Sequence, residues 1–168
     1  MDAFLAIASK REVRDYAATP VPANVRARIL DAGRLSGSSQ NKQQWEFVVV
    51  SGAARERLAD AVYAPENVRT ATLVVAIVGE AGGFDVGRCA QNMMLAAWNE
   101  GIGSCPAHLP ETEVAALLGI PEAVSINRVI AFGYIDPTRP TAPPSVSRTR
   151  LPIDKIAHWE TWQGTSED

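Results

Sequence analysis

Residues 72–79 read TLVVAIVG, an unbroken apolar run rich in β-branched side chains. The run is far shorter than the roughly 18 apolar residues of a membrane span. With no polar face, it reads as a central strand that must be covered on both sides. Two further runs have strand composition, residues 45–51 (WEFVVVS) and Ile126–Tyr134 (INRVIAFGY). Between them lie helical patterns. Asp2 can cap a short helix over Ala3–Ser9. Pro22 suits the first turn of a second helix, with Val25, Ile29, Ala32 and Leu35 on one face and fraying expected from Gly33. Residues 53–63 and 85–100 are helical, the latter with a packed side of Ala90, Met93, Met94, Ala97 and Trp98. Gly101 and Gly103 end it, and a short helix follows Pro110. Helices interleaved with three or four strands define an α+β sandwich, one central mixed sheet flanked by helices.

Residues 1–168 read as a single domain. A Pro-rich segment at 137–144 leads into a C-terminal arm, 145–168, with basic residues at its start and Trp159 and Trp162 beyond. At 46% hydrophobic and 21% charged residues the composition is that of a globular chain, and the net charge of -3 gives no drive toward nucleic acid or a membrane. The opening MDAFLAIASKR has its basic residues after the apolar run, the reverse of a secretory signal, so a cytoplasmic location is expected. Cys89 and Cys105, with no CxxC and two histidines in the chain, support neither a disulfide framework nor a metal site.

Familiar catalytic signatures are missing. No GxGxxG, GxxxxGK[ST] or GxSxG occurs, so a cofactor carrying its own reactivity suits the chain better than a nucleophile and base. Two basic clusters stand out, Lys10, Arg11 and Arg14 near one end and Arg148 and Arg150 near the other. Guanidinium groups bind phosphate through paired, charge-assisted hydrogen bonds. Taken alone they read equally as solvated surface charge. The segment Ser38-Ser39-Gln40-Asn41-Lys42-Gln43 packs hydroxyls and amides directly before a buried strand, a donor and acceptor set for a polar ligand or an ordinary loop.

In order along the chain, these pieces resemble the nitroreductase family of FMN enzymes. Lys10-Arg11-Glu12-Val13-Arg14-Asp15-Tyr16 matches R-R-S-x-R-x-F/Y, and Gly37 through Phe47 matches P-S-x-x-N-x-Q-P-W-x-F. Ala90-Gln91-Asn92 through Gly103 matches a helix closing in G-x-G, Gly133-Tyr134 a strand ending in G-Y, and Arg148-Thr149-Arg150-Leu151-Pro152 a basic-x-R-x-P close. The resemblance implies an intertwined homodimer with FMN at its interface. Lys10, Arg11, Arg148 and Arg150 would hold the FMN phosphate, with Arg14 near the N1–C2 edge of the ring. Ser38, Ser39 and Asn41 would approach from the partner subunit with Gln43 beside them, and the backbone of Pro106, Ala107 and His108 would pass the N5 side. Met93, Met94, Trp98 and the Trp159–Trp162 tail suit an interface, although core packing explains the first three equally well.

Three departures bear on the site. Glu12 replaces the serine of the first pattern and repels a dianion unless it turns away or pairs with Arg11 or Arg148. Gly37 and Gln44 replace two prolines. The stretch between Tyr63 and Leu73 is short, leaving Asn67 and Arg69 as candidate donors to the pyrimidine edge and the pocket open. The implied activity is ping-pong reduction of a small aromatic or quinone-like acceptor, such as a nitroaromatic, with NADH or NADPH as reductant. The alternatives are a deazaflavin or flavin-processing enzyme of the same fold, and a non-catalytic flavin-binding or regulatory protein.

Overall fold

The computed structural model describes residues 2–138 and 150–162. Its four strands are β1 (Glu46–Val50), β2 (Leu73–Val78), β3 (Ile102–Ala107) and β4 (Ile126–Tyr134). They form one sheet in the order β1-β2-β4-β3. The helices are α1 (Ala3–Ser9), α2 (Ala23–Arg34), α3 (Gly52–Ala61), α4 (Pro65–Arg69), α5 (Gly83–Asn99) and α6 (Glu111–Leu117).

β2 explains its own composition, because every residue in it is buried. Leu73, Val75 and Ile77 face a layer made by α2 and α5, with Ile29 and Met93 at its centre. Val74, Ala76 and Val78 face the opposite layer, with Leu58, Val68 and Val114 from α3, α4 and α6. A strand between two helical layers has no solvent side on which to place polar residues.

The α+β sandwich is as expected, but neighbouring strands all pair antiparallel. Among the described residues the parallel pairing is an isolated bridge between Glu12 and Ser104. The crossover that would produce a parallel pair does exist. α5 carries the chain back along the sheet so that β3 runs in the direction of β2, but β4 inserts between the two. Local composition does not mark β3, which reads only as the chain following a helix stop. Its Gly-Ser-Cys-Pro composition is poor for a strand, and as an edge strand it tolerates Pro106.

Two expectations about α2 are corrected. Gly33 does not begin a frayed end: it is buried, and a Cβ there would lie 2.9 Å from Met93 and from Phe47. It is the point of close approach between α2 and α5. Leu35 caps the helix and is 66% exposed rather than part of the buried face. Met93 and Met94 are core residues, and Trp98 is half-buried with its indole N–H donating to Ser9 Oγ at 2.9 Å. No helix among the described residues is long and apolar enough to cross a membrane.

Cys89 and Cys105 are free and buried, and burial pushes each thiol from 9.0 up to about 11. The native state therefore holds these protons more tightly than the unfolded chain. That stabilisation is complete below the unfolded value and is lost as pH rises through the folded one, so it fades between about pH 9 and 11. We expect the urea midpoint to fall across that window. Both thiols should ignore a disulfide reagent at about pH 8 until the protein unfolds. Immediate reaction of the native protein would contradict their burial.

Candidate functional site

α1 begins at Asp2, whose carboxylate accepts from Phe4 N at 3.0 Å and Leu5 N at 3.2 Å, and it gives way at Lys10 to an extended strip. Residues 12 and 13 of the strip lie against the outer edge of β3, and the strip then crosses to the end of β4 at Tyr16. Val13 N donates to Ser104 O at 3.1 Å, and Tyr16 bridges to Ile135 just past β4. Val13 and Tyr16 turn inward, while Arg11, Glu12, Arg14 and Asp15 stay exposed.

Two glycines make the strip's approach possible. A Cβ at Gly103 would lie 2.7 Å from Val13 Cβ, and one at Gly133 would lie 2.6 Å from Tyr16 Cβ. The Tyr16 hydroxyl shares its proton among Val13 O, Asn67 Oδ1 and Ala131 O. Burial, reinforced by the Cys105 and Glu12 charges and opposed by Arg14, raises its ionisation well above the usual phenol range. Tyr16, Gly103 and Gly133 thus fix the strip. The signal for them lay in the glycines of the two late patterns, which local periodicity reads only as helix or strand ends.

The basic cluster is partly engaged within the chain. The Lys10 ammonium pairs with the Glu12 carboxylate and lies 3.7 Å from Met94 Sδ. Glu12 therefore neither turns away nor pairs with Arg11. Arg11 Nη1 donates to Ala8 O and Lys10 O, each at 2.9 Å, at the end of α1. Arg14 is exposed. The strip still carries three cations, Lys10, Arg11 and Arg14, against two carboxylates, Glu12 and Asp15, beside the edge of β3, a donor set that suits a phosphate. Arg150 is exposed at the start of the arm, and Arg148 lies outside the described residues.

Residues 38–43 form a tight loop with a 3-10 turn at Ser39–Asn41. Gln40, Asn41 and Gln43 all have left-handed backbone, with φ of 53°, 55° and 51°. Such clustered strain in non-glycine residues persists only where surrounding contacts over-determine it, and it concentrates at ligand sites. Ser38 Oγ accepts from Gln43 N at 2.9 Å, Gln43 Nε2 donates to Asn41 O at 3.3 Å, and Ser39 N donates to Asp85 Oδ2 at 2.9 Å. The loop is thereby tied to the start of α5, whereas Lys10 rests on Met94 nine residues further on, about 14 Å along the helix axis.

Pro106 and Ala107 end β3, and His108 follows it. His108 is exposed, and its carbonyl accepts from Tyr63 N at 3.3 Å. The pyrimidine-edge candidates are both committed elsewhere. Asn67 is 3% exposed beneath Tyr16, and Arg69 pairs with Asp60 and Glu66. Two hollows open near the loop. One of about 490 Å³ is floored by Leu30, Trp45 and Phe47, and one of about 580 Å³ lies along Phe84, Gly87 and Asn92 of α5. Neither is lined by Lys10, Arg11 or Arg14.

The described residues form an α/β/α sandwich of the α+β class, with an arginine-bearing strip on one sheet edge and a strained polar loop tied to the start of α5. The sequence profile of the nitroreductase family matches residues 7–82 and 80–134, and the chain belongs to that family. A Methanothermobacter thermautotrophicus protein, provisionally assigned as an NADH dehydrogenase/NAD(P)H nitroreductase, is 28% identical over 96% of this chain and 88% of its own. A Thermus thermophilus NADH dehydrogenase is 26% identical over 95% and 96%. The NADPH:FMN oxidoreductase of Vibrio harveyi, solved with NAD+, superposes with a TM-score of 0.82 at 22% identity, over 96% of this chain and 78% of that one.

Proposed function

We propose that the protein is an FMN-dependent NAD(P)H oxidoreductase that works as a homodimer and reduces nitroaromatics, quinones or related small acceptors by a ping-pong route. The observation that carries this reading is the open basic strip along β3, set on the nitroreductase fold and held there by Tyr16. The names of the Vibrio and Thermus relatives agree with FMN and a nicotinamide as the redox pair. When bound, FMN supplies the two-electron carrier that takes hydride from NAD(P)H and passes it to the acceptor.

The protein's own residues bind and orient. Lys10 and Arg11, with Arg148 and Arg150, hold the phosphate, and Glu12 lies beside them. Arg14 places positive charge by the N1–C2 edge, where the reduced ring gathers negative charge. The backbone of Pro106, Ala107 and His108 passes the N5 side. Ser38, Ser39, Asn41 and Gln43 come from the other protomer, in keeping with a loop and a strip that sit at different stations along α5. Exposed apolar residues favour that assembly. Phe4 and Ile7 of α1 are 77% and 61% exposed, and Trp159 and Trp162 of the arm are 82% and 77% exposed. Areas of this kind mark interaction surfaces. A cytoplasmic setting agrees with two cysteines that stay unpaired.

The test is an absorbance spectrum of the purified protein, its mass by light scattering, and anaerobic addition of NADH or NADPH. We expect a dimer with bound or bindable FMN whose flavin band bleaches with reductant. A monomer that takes up no FMN would overturn the reading. A band that persists after both nicotinamides would instead favour the non-catalytic flavin-binding role.

A further inference from the structure

The Lys10–Glu12 pair is unlike an ordinary surface ion pair. The lysine side chain is 7% exposed and its partner 42%, so the ammonium is largely withdrawn from water and Glu12 supplies its counter-charge. Withdrawn charges depend on such partners far more than solvated ones do. On an extended backbone, residues two apart lie on the same side, which brings the two side chains together. The isolated bridge between Glu12 and Ser104 holds the backbone in that register. Arg11 meanwhile spends one guanidinium nitrogen on two carbonyls of the α1 end.

Building on the flavin reading above, we propose that Glu12 is a built-in competitor for the cofactor phosphate, a specificity-determining residue that weakens selection of FMN over riboflavin. A dianion arriving at Lys10 must share that ammonium with a carboxylate already in place, and it is repelled by the same carboxylate. Riboflavin carries the same ring and ribityl chain without the phosphate, so it does not meet this repulsion. The effect belongs to binding and is read as a ratio of two affinities. Any general loosening of the pocket moves both flavins together and cancels in that ratio.

The experiment measures dissociation constants of FMN and riboflavin by flavin fluorescence for the wild type, E12Q and E12D. In the wild type the two constants should lie within about tenfold of each other. E12Q should tighten FMN by about tenfold, equivalent to about 1.4 kcal/mol, and leave riboflavin unchanged. E12D keeps the charge and should behave like the wild type. A wild type preferring FMN by roughly a hundredfold or more, or an E12Q protein that shifts both flavins equally, overturns the proposal. Should E12Q, with Lys10 left uncompensated, fail to fold, the wild-type ratio still overturns the proposal if FMN is preferred by roughly a hundredfold or more. A protein that binds neither flavin removes the flavin reading and this proposal together, which separates that failure from an unaltered ratio.

Discussion

Replacing Phe132 with alanine is expected to lower the unfolding free energy by about 3–5 kcal/mol, the range for truncating a fully buried phenylalanine. Phe132 has no exposed surface. It sits in β4 with Leu73 of β2 on one side and Ser104 of β3 on the other. Its ring belongs to the layer that includes Ile29, Met93, Ala97 and Ile102. Close packing from two strands and two helices leaves little that can collapse into the space, so both the lost transfer energy and the cavity count against the variant. Typical domains have only about 5–15 kcal/mol in hand, so a large share of stability goes with one side chain. Urea unfolding at fixed protein concentration reads the effect. A loss under about 1 kcal/mol would mean that the strands around Phe132 are not packed as described.

The next residue tests the opposite face. Gly133→Ala is expected to lower stability by about 1–3 kcal/mol through overpacking, and also to weaken FMN retention. Successive strand residues point to opposite sides of a sheet, so the added methyl meets Tyr16, at 2.6 Å from its Cβ, and not the α2 and α5 layer. Tyr16 ties the strip down through Val13 O, Asn67 Oδ1 and Ala131 O. Displacing it lifts residues 10–16, and with them Lys10, Arg11 and Arg14, from the edge of β3. Denaturation and flavin titration are to be measured on the same preparation. A Gly133→Ala protein that matches the wild type in both would show that Tyr16 does not hold the strip. Loss of stability with flavin affinity intact would separate the clamp from the site.

Much of the architecture was written locally. The helix over Ala3–Ser9 and the strand over Ile126–Tyr134 have the bounds their composition indicates, because a cap and an apolar run are properties of neighbours in the chain. β2 was legible for the same reason, its double burial leaving no polar residue in the run. β3 was not, since an edge strand of Gly, Ser, Cys and Pro takes its conformation from β4, more than twenty residues away in sequence. The site divides in the same way. The basic residues and the 38–43 loop could be singled out as residue types. That Asn67 lies buried beneath Tyr16, and that Arg69 is absorbed by Asp60 and Glu66, depends on segments meeting in space.

From its sequence alone, this chain determined the α+β class, most element bounds and the family resemblance, because periodicity, caps and ordered short patterns are carried by residues close together. Tertiary structure alone decided that neighbouring strands run antiparallel, that Gly33, Gly103 and Gly133 are points of close contact, and that Lys10 already has a partner in Glu12. Those outcomes depend on which surfaces come within a few ångströms of each other, and one-dimensional spacing does not encode that distance.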